Sequence, residues 1–82
     1  MNRLEVFEKL QEIFMDLLDD EEFQLSEDIS MDTLKDWDSL MHITLISSIE
    51  DEFSLHIPSD DIPNLKRVEM LIDVVLREMR QR

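Results

Sequence analysis

Not one of the 82 residues is glycine. Leu, Ile, Met, Glu and Asp are abundant beside only two prolines, so the composition favours helices. The same absence removes any glycine-rich phosphate loop and the sixth-position glycine of a calcium-binding loop. With no cysteine present, disulfides, thiolate chemistry and cysteine zinc sites are excluded as well. The length suits one domain, residues 1–82, near the size at which a single core just holds a fold, and too small for a large catalytic pocket.

Helical periodicity locates the elements. From Leu4 to Leu18, the residues Val6, Phe7, Leu10, Ile13, Phe14, Leu17 and Leu18 recur at helical spacing between charged positions, with Asn2 as a candidate cap. The pattern lapses from Asp19 to Asp36, where Phe23, Leu25, Ile29 and Leu34 sit among acids and hydroxyls. This predicts a long loop tied down by apolar anchors, a length unusual enough in a small domain to suggest a functional constraint. A second helix is expected over Ser39 to Phe53 with Asp38 or Ser39 as N-cap, ending without the usual glycine. Pro58 closes an extended stretch, and Pro63 fits a one-turn third helix begun after Ser59 or Asp60. The last helix runs from about Lys66 to Arg80 with Val68, Leu71, Ile72, Val75 and Met79 on one face. Arg77, Arg80 and Arg82 gather at its carboxyl end, where the helix dipole favours cations. Met15, Met70 and Met79 fall near the expected core, as adaptable lining or as ordinary filler. The architecture expected is all-α: a small four-helix bundle of three longer helices and one short one, with a long first loop.

Charge narrows the partners. Eight basic residues against 21 acidic ones give a formal net charge of −13. Nucleic acid and anionic membrane surfaces are disfavoured by repulsion, and a basic protein partner is favoured by steering. The amino end, MNRLEVFEKL, contains no apolar run of signal-peptide or membrane-span length, so a soluble cytoplasmic monomer is expected.

The second helix carries two apolar sets. At about 100° per residue, Leu45, Ile46, Ile49 and Phe53 fall together with His42 on a core face. Leu40 and Ile43 fall on the opposite side with Thr44, Ser47, Ser48 and Asp51, and cannot reach the same core. Either the loop covers them, under Trp37 or Leu34, or they form a docking patch near Ser39 rimmed by Asp38, Glu50 and Asp51. Trp37 itself reads as a lid on the core rather than a cofactor contact, because it buries a large apolar area in a domain short of it.

Candidate catalytic groups are few. His42 and His56 are the only imidazoles, and neither has a serine or acid at a spacing that makes a nucleophile and base. His42 reads as a packed or helix-edge residue and His56 as outward-facing between Leu55 and Ile57. The acidic runs Asp19–Glu22 and Asp60–Asp61 promise weak cation attraction at most, so neither a metal site nor catalysis is expected of this chain. Ser39 stands apart from the other serines: at a helix start, an anionic group on its oxygen meets free backbone N–H groups and the positive end of the dipole. Two roles stay open on the residues alone, an attachment point or a cap within an acidic helical adaptor.

The D-S-L at Asp38, Ser39 and Leu40, the I-E-D-E-F of Ile49 to Phe53, the I-P at Ile57 and Pro58, and V-x-x-L-I-D-x-V from Val68 to Val75 together resemble the acyl carrier proteins, from Trp37 to about Leu76. The resemblance implies a four-helix bundle whose motif serine, here Ser39 with Asp38 as its neighbour, is modified by a phosphopantetheinyl transferase using coenzyme A and magnesium. The product is a 4′-phosphopantetheine arm whose thiol holds acyl or aminoacyl groups as thioesters. It further implies that the second helix, through Leu40, Met41, Ile43, Thr44, Ser47, Glu50 and Asp51, meets partners with basic docking patches: the transferase, a loading ligase for acyl or aminoacyl groups, and downstream synthase enzymes.

Four positions depart from the family's housekeeping members in fatty acid synthesis. Met41 and Thr44 stand where acids are usual, Trp37 replaces the glycine before the motif aspartate, and Lys66 or Arg67 replaces the threonine ahead of the last helix. These departures point to a stand-alone carrier of a specialised pathway: modified acyl chains, a polyketide or peptide product, or the decoration of a surface glycan.

Overall fold

The structure is a computed structural model describing residues 1–81, so Arg82, expected in the carboxyl-terminal cluster, lies outside the described residues. Three α-helices, α1 (Arg3–Leu18), α2 (Ser39–Phe53) and α3 (Val68–Arg80), enclose one core. The all-α expectation holds, with no strand element among the described residues. The short helix is reduced to a lone 3-10 turn, Ile62–Asn64, with Pro63 in its opening positions. Leu65 leaves helical geometry at φ −86°, ψ 64° as its side chain turns into the core, which stops the turn from propagating.

α1 begins one residue earlier than the periodicity suggests, because Asn2 and Glu5 form a capping box: Glu5 N–H donates to Asn2 Oδ1 and Asn2 N–H to Glu5 Oε1. Val6, Leu10, Ile13 and Phe14 are buried, while Phe7, Leu17 and Leu18 lie half-buried at the margin of the core. α1 and α2 both end on residues that carry a β-carbon in the left-handed region, Asp19 at φ 51° and Ser54 at φ 52°. In the absence of glycine, each such turn costs on the order of 1 kcal/mol.

The 19–38 loop is fastened as its apolar anchors suggested, with Leu25 buried and Phe23, Ile29 and Leu34 half-buried. Phe23 stacks on Phe14 at 6.0 Å between ring centroids. Polar fasteners do as much. Gln11 donates through its amide nitrogen to the Phe23 carbonyl and accepts from Leu25 N–H at 2.7 Å, so one α1 side chain holds two loop backbones. Arg3 reaches both Glu27 and Asp73, joining α1, the loop and α3; hydrogen bonds to Glu27 and then Asp73 raise its already high pKa further.

α3 starts at Val68, two residues later than expected. Arg67 is extended, at φ −140°, ψ 147°, and pairs with Ser30 across an isolated antiparallel bridge. Among the described residues no side chain caps α3. Instead its first N–H groups donate to loop carbonyls, Val68 to Ile29 at 2.9 Å and Glu69 to Glu27 at 3.0 Å, while Met31 N–H donates to Lys66 at 2.9 Å. Val68, Leu71, Ile72 and Val75 are fully buried as the periodicity requires, and Val74 joins them. Met79 is half-buried, whereas Met70 faces outward at 42% exposure and is no part of the core.

Candidate functional site

The segment from Trp37 to Ile43 divides by direction. Trp37 is 1% exposed and meets Phe14 edge to face at 5.4 Å between ring centroids, so the lid reading holds. Its indole Nε1 donates to His42 Nδ1 at 3.0 Å. Since an indole nitrogen only donates, His42 Nδ1 must accept, and the ring proton sits on Nε2, which donates to the Ile62 carbonyl at 2.8 Å. His42 is thus a packed histidine with both nitrogens in use, tying the start of α2 to the 3-10 turn. The spacing placed it on the core face but carried no sign of either partner.

Between these two residues the chain turns outward. Asp38, extended at φ −100°, is the N-cap of α2 and accepts from Met41 N–H at 2.9 Å. Of the two candidate caps the aspartate takes the role, and Ser39 is the first helical residue. Freed from capping, Ser39 is exposed, and its hydroxyl makes no hydrogen bond to any other described residue. The backbone N–H groups of Ser39 and Leu40 likewise have no partner among the described residues, as expected for the first turn of a helix.

Leu40 is 75% and Ile43 64% exposed. Cover by the loop, under Trp37 or Leu34, does not occur, because Trp37 turns into the core. Thr44, Ser47 and Asp51 are exposed on the same outward face, and Thr44 Oγ1 donates to the Leu40 carbonyl at 3.2 Å. Met41 is half-buried at the edge of this face. Glu50 departs from the expected rim: its carboxylate accepts from Ile57 N–H at 2.8 Å and lies 3.3 Å from His56 Nδ1, so it fixes the end of α2. His56 itself is outward, and Ile57 inward, as the alternation indicated.

The arrangement is an unbonded hydroxyl at a helix start beside an exposed apolar pair, on a strongly acidic chain. Over residues 8–75 the sequence matches the family model described as a phosphopantetheine attachment site. It is also 32% identical over 76 residues to an acyl carrier protein of Rubrobacter xylanophilus, covering 93% of this chain and 94% of that one.

The chain belongs to the acyl carrier protein family.

Solved structures agree with this in fold. A crystal structure of an acyl carrier protein from Thermotoga maritima superposes with a TM-score of 0.84 at 30% identity, covering 99% of this chain and 94% of that chain. The solution structure of the holo acyl carrier protein from Geobacter metallireducens gives 0.82 at 29% identity, over 93% of this chain and 87% of that chain. As an acyl carrier protein, the chain bears a 4′-phosphopantetheine prosthetic group and presents acyl groups to partner enzymes. The adaptor alternative gives way to this, and the structure removes its premise, since Asp38 does the capping that it assigned to Ser39. Among the described residues no helix is long and apolar enough to cross a membrane.

Proposed function

We propose that Ser39 Oγ is the attachment point of the 4′-phosphopantetheine arm and that residues 1–82 form one carrier domain with no catalysis of its own. The observation that carries this is the state of Ser39, exposed and unbonded because Asp38 has taken the cap. A phosphodiester there suits the residues present: the open N–H groups of Ser39 and Leu40 are donors for its oxygens, at the positive end of the α2 dipole. When bound, the group supplies the thiol that this cysteine-free chain lacks, and acyl or aminoacyl cargo rides on it as a thioester.

Leu40, Ile43, Thr44 and Ser47, with Met41 at the edge and Asp51 and Asp38 as acids, form the docking face for the transferase, a loading ligase and downstream synthases. The net charge of −13 supports partners with basic patches. A face of neutral Met41 and Thr44 around the attachment serine supports a specialised pathway over housekeeping fatty acid synthesis.

Intact mass after incubation with coenzyme A, magnesium and a broad-range phosphopantetheinyl transferase tests the attachment. The expected gain is one phosphopantetheine, absent from Ser39→Ala, whose fold is retained because position 39 caps nothing. A gain that survives in Ser39→Ala defeats the assignment. For the pathway, equal malonyl loading of this holo protein and of a housekeeping carrier by a malonyl transferase of fatty acid synthesis would argue against specialisation.

A further inference from the structure

On the α3 side of α2, access to the core is barred. The 59–65 turn is fastened to α2 by the 2.8 Å bond between His42 Nε2 and the Ile62 carbonyl, and to α3 by the ion pair of Asp61 with Arg77 at 2.5 Å. Behind it Leu45, Ile49, Ile57, Leu71 and Ile72 are all at 0% exposure. An acyl chain entering there has to break the Trp37–His42–Ile62 hydrogen-bond series and displace close-packed side chains.

The other side of α2 is open. A groove of about 470 Å³ runs between the end of α1 and the start of α2, with Leu17 and Leu18 on one wall and Leu40, Met41 and Thr44 on the other. Its volume falls in the range of small-ligand sites, and its walls are as polar as they are apolar, with Asp36 and Asp38 beside the leucines, which suits an arm that alternates amide groups with methylenes. Asp38 and Leu40, the residues on either side of Ser39, both line it, so an arm tethered at Ser39 meets this groove at high effective concentration.

We propose that the pantetheine arm and a short acyl cargo lie in this α1–α2 groove on the outside of the bundle, and that the interior does not sequester the cargo. Leu17, Leu18 and Met41 contact the arm and the first carbons of the acyl group; longer chains project into solvent. The inference rests on Ser39 as the attachment point. The open groove limits how long a cargo is shielded, which suits a carrier of short or polar acyl groups.

The test uses the full chain in apo, holo and butyryl-holo forms, each verified by intact mass and by loss of the modification in Ser39→Ala, so that failure of attachment is seen before the groove is judged. Amide and methyl chemical shifts are then compared between forms. Changes at Leu17, Leu18, Met41 and Thr44, with Leu45, Ile49, Leu71 and Ile72 unmoved, are expected. Changes concentrated at Leu71, Ile72 and Ile62 would show an interior cargo and overturn the proposal, as would changes confined to Ser39 and its chain neighbours, which mean an arm free in solvent. In Leu18→Glu, converted to the same butyryl-holo form, the groove shifts should shrink and the thioester should hydrolyse several-fold faster. Unchanged hydrolysis together with unchanged groove shifts would also count against it.

Discussion

Trp37 and Leu40 stand three residues apart, yet one is 1% and the other 75% exposed. The difference is made by Asp38, whose extended backbone and cap to Met41 N–H set where α2 begins and thus which way each following side chain points. On the inward side, every polar atom is matched: indole to imidazole, imidazole to carbonyl. On the outward side, a hydroxyl and two exposed apolar side chains are left without partners among the described residues. A single heptapeptide therefore anchors the fold with one face and leaves the other to be completed by something else.

The contrast breaks most severely at Trp37. Trp37→Ala should cost about 3–5 kcal/mol in urea unfolding, a large share of the ~5–15 kcal/mol a small domain has. What remains folded should still be modified by the transferase; loss of modification with stability unchanged would mean that the indole serves the site directly. Next is His42→Leu, which keeps the volume but leaves the buried indole N–H without a partner and takes from the Ile62 carbonyl one of its two donors, Leu65 N–H remaining. A loss of about 1–3 kcal/mol is expected, again by urea denaturation, and no loss would mean that the two hydrogen bonds contribute little.

Asp38 tests the divider itself. Asp38→Ala should lower stability by about 1 kcal/mol, while Asp38→Asn, which can still cap, should stay close to the parent in thermal unfolding. Smallest in stability and largest in partner engagement is the double change Leu40→Ala with Ile43→Ala. Its unfolding free energy should move by no more than about 0.5 kcal/mol, as for surface positions elsewhere, while KM for the carrier rises in transferase kinetics. A stability loss as large as that of His42→Leu would show that these two side chains belong to the core after all.

The helices α1 and α2 were legible because their cues are local: an apolar face of period 3.6, Asn2 ahead of the first turn, and Asp38 before the apolar run. So was the split of α2 into two faces, which follows from residue spacing alone. The choice between Asp38 and Ser39 as cap was not, since both residue types cap well and backbone geometry decides. The start of α3 lay beyond reach for a different reason: Lys66 and Arg67 are adequate helix formers, and only pairing with Ser30, distant in sequence, draws them into extended form. Gln11 and Arg3 were missed likewise, because a polar residue on an amphipathic helix reads as solvated until the loop it grips is in place. Pro63 marked a turn correctly but could not say that Leu65 would end it. Met70 fell near the apolar stripe of α3, just far enough round to face water.

The backbone pairing of residues 27–31 with 66–69 ties the fate of the last helix to a loop that precedes the second. α3 has its first amides satisfied only by Ile29 and Glu27 carbonyls, so it gains its cap when the loop docks and loses it when the loop leaves. The amides of Met31, Val68 and Glu69 should then exchange with solvent water in a single opening event, as members of one cooperative unit. During synthesis, the 19–38 segment must wait for the carboxyl-terminal helix before either is secure, which makes the order of chain emergence and the order of consolidation two different things.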